Sequence, residues 1–297
     1  MDEYTEIRQA EKGAWVSIAA YLVLTIFKLV FGYLFLSSAL VADGYNNLTD
    51  IVASIAVLIG LRISQKPPDK DHAYGHFRAE TIAALVASFI MVSVGIQVIV
   101  TAVKSIFDPV QQTPSLLAAL VALLSAICMV FVYRYNNNLA KKLGSQALHA
   151  AAKDNLSDAL VSIGAVVGVV GAQLGAAWLD PLAALVVGII ICKTAWDIFY
   201  SATHALTDGF DENELGTLRT TISKTKGVRD ITDIKARIHG SKVLLDVIVQ
   251  VDPKLSLVES HHICDDIERR MLRKHNIWSV HVHVEPFKME VDKESNK

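Results

Sequence analysis

Cysteine is scarce and poorly placed for crosslinking: Cys128, Cys192 and Cys264 are the full complement, an odd number with no CxxC spacing, and the first two sit in apolar stretches. A disulfide framework and an all-cysteine metal site are thereby set aside. Charge of either sign is also thin. Asp, Glu, Lys and Arg make up 20% of the chain, and 28 basic residues nearly balance 30 acidic ones for a net charge of -2. That balance supplies no basic field for nucleic acid. Aromatic residues reach only 7%, and 16 Gly and 7 Pro among 297 residues are too few for a fibrous repeat or long disorder. No HExxH motif occurs, and His76-Phe-Arg-Ala-Glu80 has the wrong spacing for one, which argues against an intramembrane metalloenzyme.

What the chain has instead is apolar surface: 52% hydrophobic residues and a mean hydropathy of +0.38, a surplus that needs a lipid-facing home. A spanning helix takes roughly 20 apolar residues. Six such stretches are read at 14–36, 39–63, 80–106, 114–135, 147–172 and 177–200. Basic residues choose the side. Arg8 and Lys12 precede the first span, Arg62, Lys66, Lys70 and Arg78 bracket the second loop, and Arg134, Lys141 and Lys142 fill the fourth. Those segments are expected on the cytoplasmic side, with both termini. The charged N-terminus leads into a stretch too long for a cleavable apolar region, so no signal peptide is expected.

About half of the charged residues lie beyond residue 207, and there the pattern changes. Asp211-Glu-Asn-Glu214 opens a helix with Leu215, Leu218 and Ile222 on one stripe. Residues 228–237 and 242–251 read as strands around the His239-Gly240-Ser241 turn, 256–274 as an amphipathic helix and 278–285 as a strand. The fold class expected is an α-helical membrane protein: six transmembrane helices followed by a cytosolic α+β ferredoxin-like domain. The expected divisions are 1–207 for transport, 208–287 for dimerisation and regulation, and 288–297 for a disordered tail.

Ionisable groups at membrane depth cost about 2.5 to 3.5 kcal/mol each on insertion scales and are rare without a role. The second span contains Asn46-Asn-Leu-Thr-Asp50 and the fifth Asp154-Asn-Leu-Ser-Asp158. A spacing of four places each pair on a single helix face. If the two faces meet, Asn46, Asp50, Asp154 and Asp158 converge as four oxygen ligands, and a divalent cation relieves the crowding of like charges. Hydrated or capping residues at helix ends, and a proton relay without metal, are the alternatives; metal coordination is favoured because each pair is continued by apolar residues. Protons and metal would compete for the same oxygens, which gives a helix bundle of alternating access a means of exchanging one for the other.

At these residues the chain resembles the cation diffusion facilitator family, whose members are homodimeric, proton-coupled exporters of divalent metals. The resemblance covers nearly the whole chain: the six spans, the paired motifs, the loop Asp69-Lys-Asp-His72-Ala-Tyr-Gly-His76 and the C-terminal domain. Zinc-transporting relatives place a His in the fifth-span pair. The all-oxygen set here resembles the manganese-transporting branch, in agreement with the preference of Mn²⁺ for carboxylate and carbonyl ligands. The resemblance implies a second metal site at Asp69, His72 and His76, for which a solvated loop is the other reading. It also matches His261, His283 and Glu285 to ligand positions of a cytosolic regulatory site, although Thr232 and Val247 stand where further histidines are usual. By the period of a strand, His281, His283 and Glu285 share one face, and His261 is expected to approach from the neighbouring helix; ordinary surface histidines are the alternative.

The function expected is therefore proton-coupled export of divalent metal, Mn²⁺ before Zn²⁺, from the cytoplasm across the plasma membrane. The metal is substrate, no prosthetic group is needed, and the partners are a second copy of the chain, the lipid bilayer, the divalent cation and the proton, with no nucleic acid. Efflux of zinc, cadmium, cobalt or iron, or a membrane metal sensor, are the other readings.

Overall fold

The computed structural model describes residues 3–34, 38–107, 116–176 and 178–287. The tail expected at 288–297 lies outside these residues. The chain divides into two compact units, Met1–Thr203 and His204–Lys297.

The first unit is built from six long helices: α1 (Glu3–Leu34), α2 (Ser38–Ser64), α3 (Arg78–Phe107), α4 (Leu116–Leu143), α5 (Gln146–Gln173) and α6 (Leu179–Leu206). Among the described residues, Ile7–Phe31, Arg78–Phe107, Ala119–Leu143 and Pro181–Leu206 are long and apolar enough to cross a membrane. Helix α5 interrupts its apolar run with Lys153, Asp154 and Asp158, and α2 interrupts its own with Asp50. Large apolar side chains on these helices face outward, among them Leu22, Val52, Phe89, Phe131, Ile163 and Trp196, as a lipid-facing surface requires. Helices α1 and α4 run past the apolar stretches read from sequence, because the polar residues Glu3–Lys12 and Arg134–Lys142 continue the same backbone ladder.

Small residues set how closely the helices pack. A Cβ on Gly60 of α2 would fall 2.3 Å from the Ala83 Cβ of α3, and one on Gly95 of α3 would fall 2.7 Å from the Cys192 sulfur of α6. The most extensive pairings join α4 with α5 and α1 with α2, while α2 and α1 each also touch α5.

The second unit follows the order α7 (Glu212–Ser223), β1 (Asp230–His239), β2 (Lys242–Val251), α8 (Leu257–His275) and β3 (Ser279–Pro286). Strands β1 and β2 are antiparallel through the turn at Gly240, where φ is 65°. Strand β3 pairs in parallel with β2, a geometry that needs the crossover helix α8. The mixed sheet with two helices is the ferredoxin-like α+β arrangement expected. Leu218 and Ile222 of α7 and Ile263, Ile267 and Met271 of α8 bury against Leu245, Val247, Val249 and Val251. Both helices thus cover one sheet face.

Both helix starts are fixed by side chains. The Asp211 carboxylate accepts from the Glu214 N–H at 2.9 Å. Ser256 and Glu259 form a reciprocal box, with the Ser256 N–H donating to Glu259 Oε2 at 2.8 Å and the Glu259 N–H donating to Ser256 Oγ at 3.3 Å. Ser256→Ala removes one side of that box and should cost the second unit about 1 kcal/mol. A lowered midpoint in thermal unfolding followed by circular dichroism is the expected result, and an unchanged midpoint would contradict the cap's role.

Candidate metal centre

Asp154 and Asp158 stand one turn apart on α5 and are half-buried, while Asp50 on α2 is 2% exposed. Tyr21 of α1 lies fully buried between them. Its hydroxyl donates to Asp154 Oδ2 at 3.1 Å and sits in the electrostatic field of Asp154, Asp158 and Asp50 together. Three carboxylates from two helices therefore share one neighbourhood where α2, α5 and α1 meet. Asn46 is in α2, but its side chain lies outside the described residues. Among the described residues, these carboxylates do not form a cluster in which every ligand atom lies within 4.8 Å of the others. They share a neighbourhood without converging on a single point.

The loop between α2 and α3 does close. Asp69, His72 and His76 bring one ligand atom each within 4.8 Å of one another. His72 Nδ1 stands 3.2 Å from Asp69 Oδ1, and His76 Nε2 stands 3.5 Å from Asp69 Oδ2. Gly75 makes this possible: at φ 78° it takes a left-handed turn that glycine adopts without strain, and its N–H donates to the His72 carbonyl at 2.9 Å. The backbone N–H of His72, donated to the Asp69 carboxyl, holds that acid below the usual carboxylate range. An ionised carboxylate with two imidazoles is a competent donor set for a divalent ion of the zinc or manganese type.

In the second unit the histidines are split. Alternation along β3 turns Val280, Val282 and Val284 toward the helices and leaves His281 and His283 exposed on the opposite face, level with Asp246 and Ile248 of β2. Glu285, level with Gln250, is half-buried. His261 is on the outer side of α8, 3.7 Å from Asp265. Because α8 packs on the far side of the sheet from His283, His261, His283 and Glu285 do not form a three-ligand cluster within one chain among the described residues. The approach of His261 expected from sequence overlooked which sheet face the helix covers.

Residues 14–207 match the cation efflux transmembrane domain, and residues 210–287 match the cation efflux protein cytoplasmic domain. This chain belongs to the cation efflux, or cation diffusion facilitator, family. Its similarity extends to whole proteins of Bacillus subtilis (strain 168). It is 58% identical to the manganese efflux system protein MneS, covering 96% of this chain and 99% of the relative. It is 51% identical to the uncharacterized transporter YdbO over the same shares, and 32% identical to the manganese efflux system protein MneP over 94% of this chain and 96% of the relative. The cation efflux protein is accordingly a membrane transporter for metal cations.

Sequence reading missed what α1 of this cation efflux protein brings to the site. Ser17, Tyr21, Thr25 and Lys28 are all buried, at helical spacings of four, four and three that put them on one stripe. Lys28, 2% exposed, turns into the bundle and donates to Asn47 Oδ1 at 3.4 Å. The spacing was visible in the sequence, but three of the four residue types are tolerated in apolar helices and did not stand out as a set.

Proposed function

We propose that this cation efflux protein exports Mn²⁺ from the cytoplasm across the plasma membrane in exchange for protons, holding the ion between α2 and α5 with Asn46, Asp50, Asp154 and Asp158. The observation that carries the reading is the grouping of Asp50, Asp154 and Asp158 around Tyr21 where the two helices meet. An all-oxygen donor set suits Mn²⁺, whereas a site built for zinc gains from imidazole. The naming of MneS and MneP as manganese efflux proteins supports the same choice of cargo. Proton and metal compete for the carboxylate oxygens, so loading from one side and protonation from the other give exchange without a further energy source.

The chain works as a homodimer through its second unit, whose open sheet face presents Asp246, Ile248, His281 and His283. Both termini lie in the cytoplasm, and the division of labour falls at residues 207 and 287. Asp69, His72 and His76 form a second ion site in the cytoplasmic loop. His261, His283 and Glu285 serve cytosolic metal sensing only if a partner subunit brings the two sheet sides together. The protein is not an enzyme.

Reconstitution of the purified chain in sealed vesicles tests the reading. An acidic lumen should drive Mn²⁺ accumulation that a protonophore collapses, and excess Zn²⁺ should inhibit it weakly. Accumulation indifferent to the pH gradient would remove the exchange mechanism. Preferred uptake of Zn²⁺ would reassign the cargo, and absence of any metal flux would favour a sensor.

A further inference from the structure

Behind the carboxylates, five side chains from three helices form one directional chain of hydrogen bonds. Ser17, Tyr21, Asn136 and Asn155 within it are fully buried. The Asn136 amide on α4 donates to Ser17 Oγ at 2.8 Å and to Asn155 Oδ1 at 3.0 Å. Ser17 Oγ also donates to Asn155 Oδ1 at 3.0 Å. With two donors aimed at its oxygen, the Asn155 amide can present only its NH₂ on the other side, and it donates to the Tyr21 hydroxyl at 3.1 Å. The Tyr21 oxygen therefore already accepts a bond, and its proton faces the carboxylates of α5, with Asp154 Oδ2 at 3.1 Å and Asp158 also within reach. Every donor in the chain points toward that pair.

Asn136 Oδ1 is buried without a hydrogen bond, but every other link resists rotation, because breaking it leaves a further buried polar atom unpaired. The Tyr21 ring is clamped as well, packed with Leu24, Met129 and Ala159. One lone pair of Asp154 Oδ2 is thus occupied by the hydroxyl of a buried, packed ring, which fixes the orientation of the carboxylate.

We infer that Tyr21 is a positioning residue for the transport site: held by Asn136, Ser17 and Asn155, it fixes the orientation in which the Asp154 carboxylate meets the metal. The inference rests on the reading of Asp154 as a metal ligand. It gives the polar face of α1 a role in ion binding although α1 supplies no ligand of its own, and it couples movement of α1 or α4 to the geometry of the site.

The test compares Tyr21→Phe, Asn155→Ala and the double variant in full-length protein reconstituted in vesicles. Tyr21→Phe keeps the ring and deletes the hydroxyl, which is both the donor to Asp154 and the acceptor for Asn155. Loss of a partner that orients a ligand costs about 10- to 100-fold in metal affinity, so KM for Mn²⁺ should rise about tenfold while the maximal rate stays within about twofold. Asn155→Ala should raise KM in the same direction. The double variant should be no worse than the more impaired single variant, since both act through one hydrogen bond. An unchanged KM in Tyr21→Phe, or KM effects that multiply in the double variant, would overturn the role of Tyr21. If Asn155→Ala fails to fold, the split between KM and maximal rate in Tyr21→Phe decides alone. Asp154→Ala separates the two levels: transport lost there with KM unaltered in Tyr21→Phe overturns the positioning role only, whereas normal transport in Asp154→Ala overturns the site assignment and this inference with it.

Discussion

Asp50→Ala should reduce Mn²⁺ flux by more than about 100-fold, beyond the range usual for loss of a residue that merely orients a ligand. Asp50 is 2% exposed and is the described acid that α2 brings to the carboxylates of α5. On the proposed assignment, truncation removes both an oxygen donor and a negative charge from a site that must compensate a dehydrated dication. The fold has little reason to fail. Helix α2 is held by Ala53, Val57 and Leu61 in the buried core and by the close approach of Gly60 to Ala83 on α3, none of which involves the carboxylate. The variant should therefore remain monodisperse, with a loss of transport far larger than any shift of its unfolding midpoint. Flux at the unsubstituted rate, measured with the same amount of inserted protein, would remove Asp50 from the site.

The second large effect concerns the cytosolic unit. Ile267→Asp should abolish its cooperative unfolding transition. Ile267 is fully buried on α8 amid Leu245, Val247, Val249 and Met271. Losing a side chain of this size from a core costs about 2 to 5 kcal/mol, and a carboxylate placed there without a partner adds desolvation on top. A small domain commands only about 5 to 15 kcal/mol in total. Limited proteolysis of the full chain should cut rapidly beyond residue 210, where the unsubstituted protein resists. Equal resistance of the two proteins would show that α8 is not essential to this core.

The architecture was legible wherever one periodicity dominated. Long apolar runs marked the helices of the first unit, and Asp211 and Ser256 announced the starts of α7 and α8 through their caps. Their ends were less visible, because Arg134–Lys142 reads as loop by polarity while its backbone continues α4. The oxygen-bearing pairs of α2 and α5 were readable from their spacing, whereas Asp69, His72 and His76 were singled out through the family resemblance. The support around Asp154 was not legible. Ser17 and Asn155 are 138 positions apart, and Asn136 opens a run of three asparagines that looks like a polar linker. Only packing of α1 against α4 and α5 turns those residues into one network. The histidines of the second unit teach the complementary lesson, since period two placed His281 and His283 together correctly but did not say on which side α8 would sit.

The pairing of neighbouring helices bears on how the protein enters the bilayer. The helices that carry Asp50 and the Asp154–Asp158 pair each follow another long helix in the chain and make their most extensive packing against it, α2 on α1 and α5 on α4. Alone, a helix with two ionised acids would meet a penalty of several kcal/mol on partitioning into lipid, at about 2.5 to 3.5 kcal/mol for each. In the α1–α2 hairpin Asp50 keeps Tyr21 as a neighbour, and in the α4–α5 hairpin Asn155 keeps its bond from Asn136, whereas Asp154 meets Tyr21 only when the two hairpins join. The chain order thus leaves the last burial of charge to the union of two hairpins.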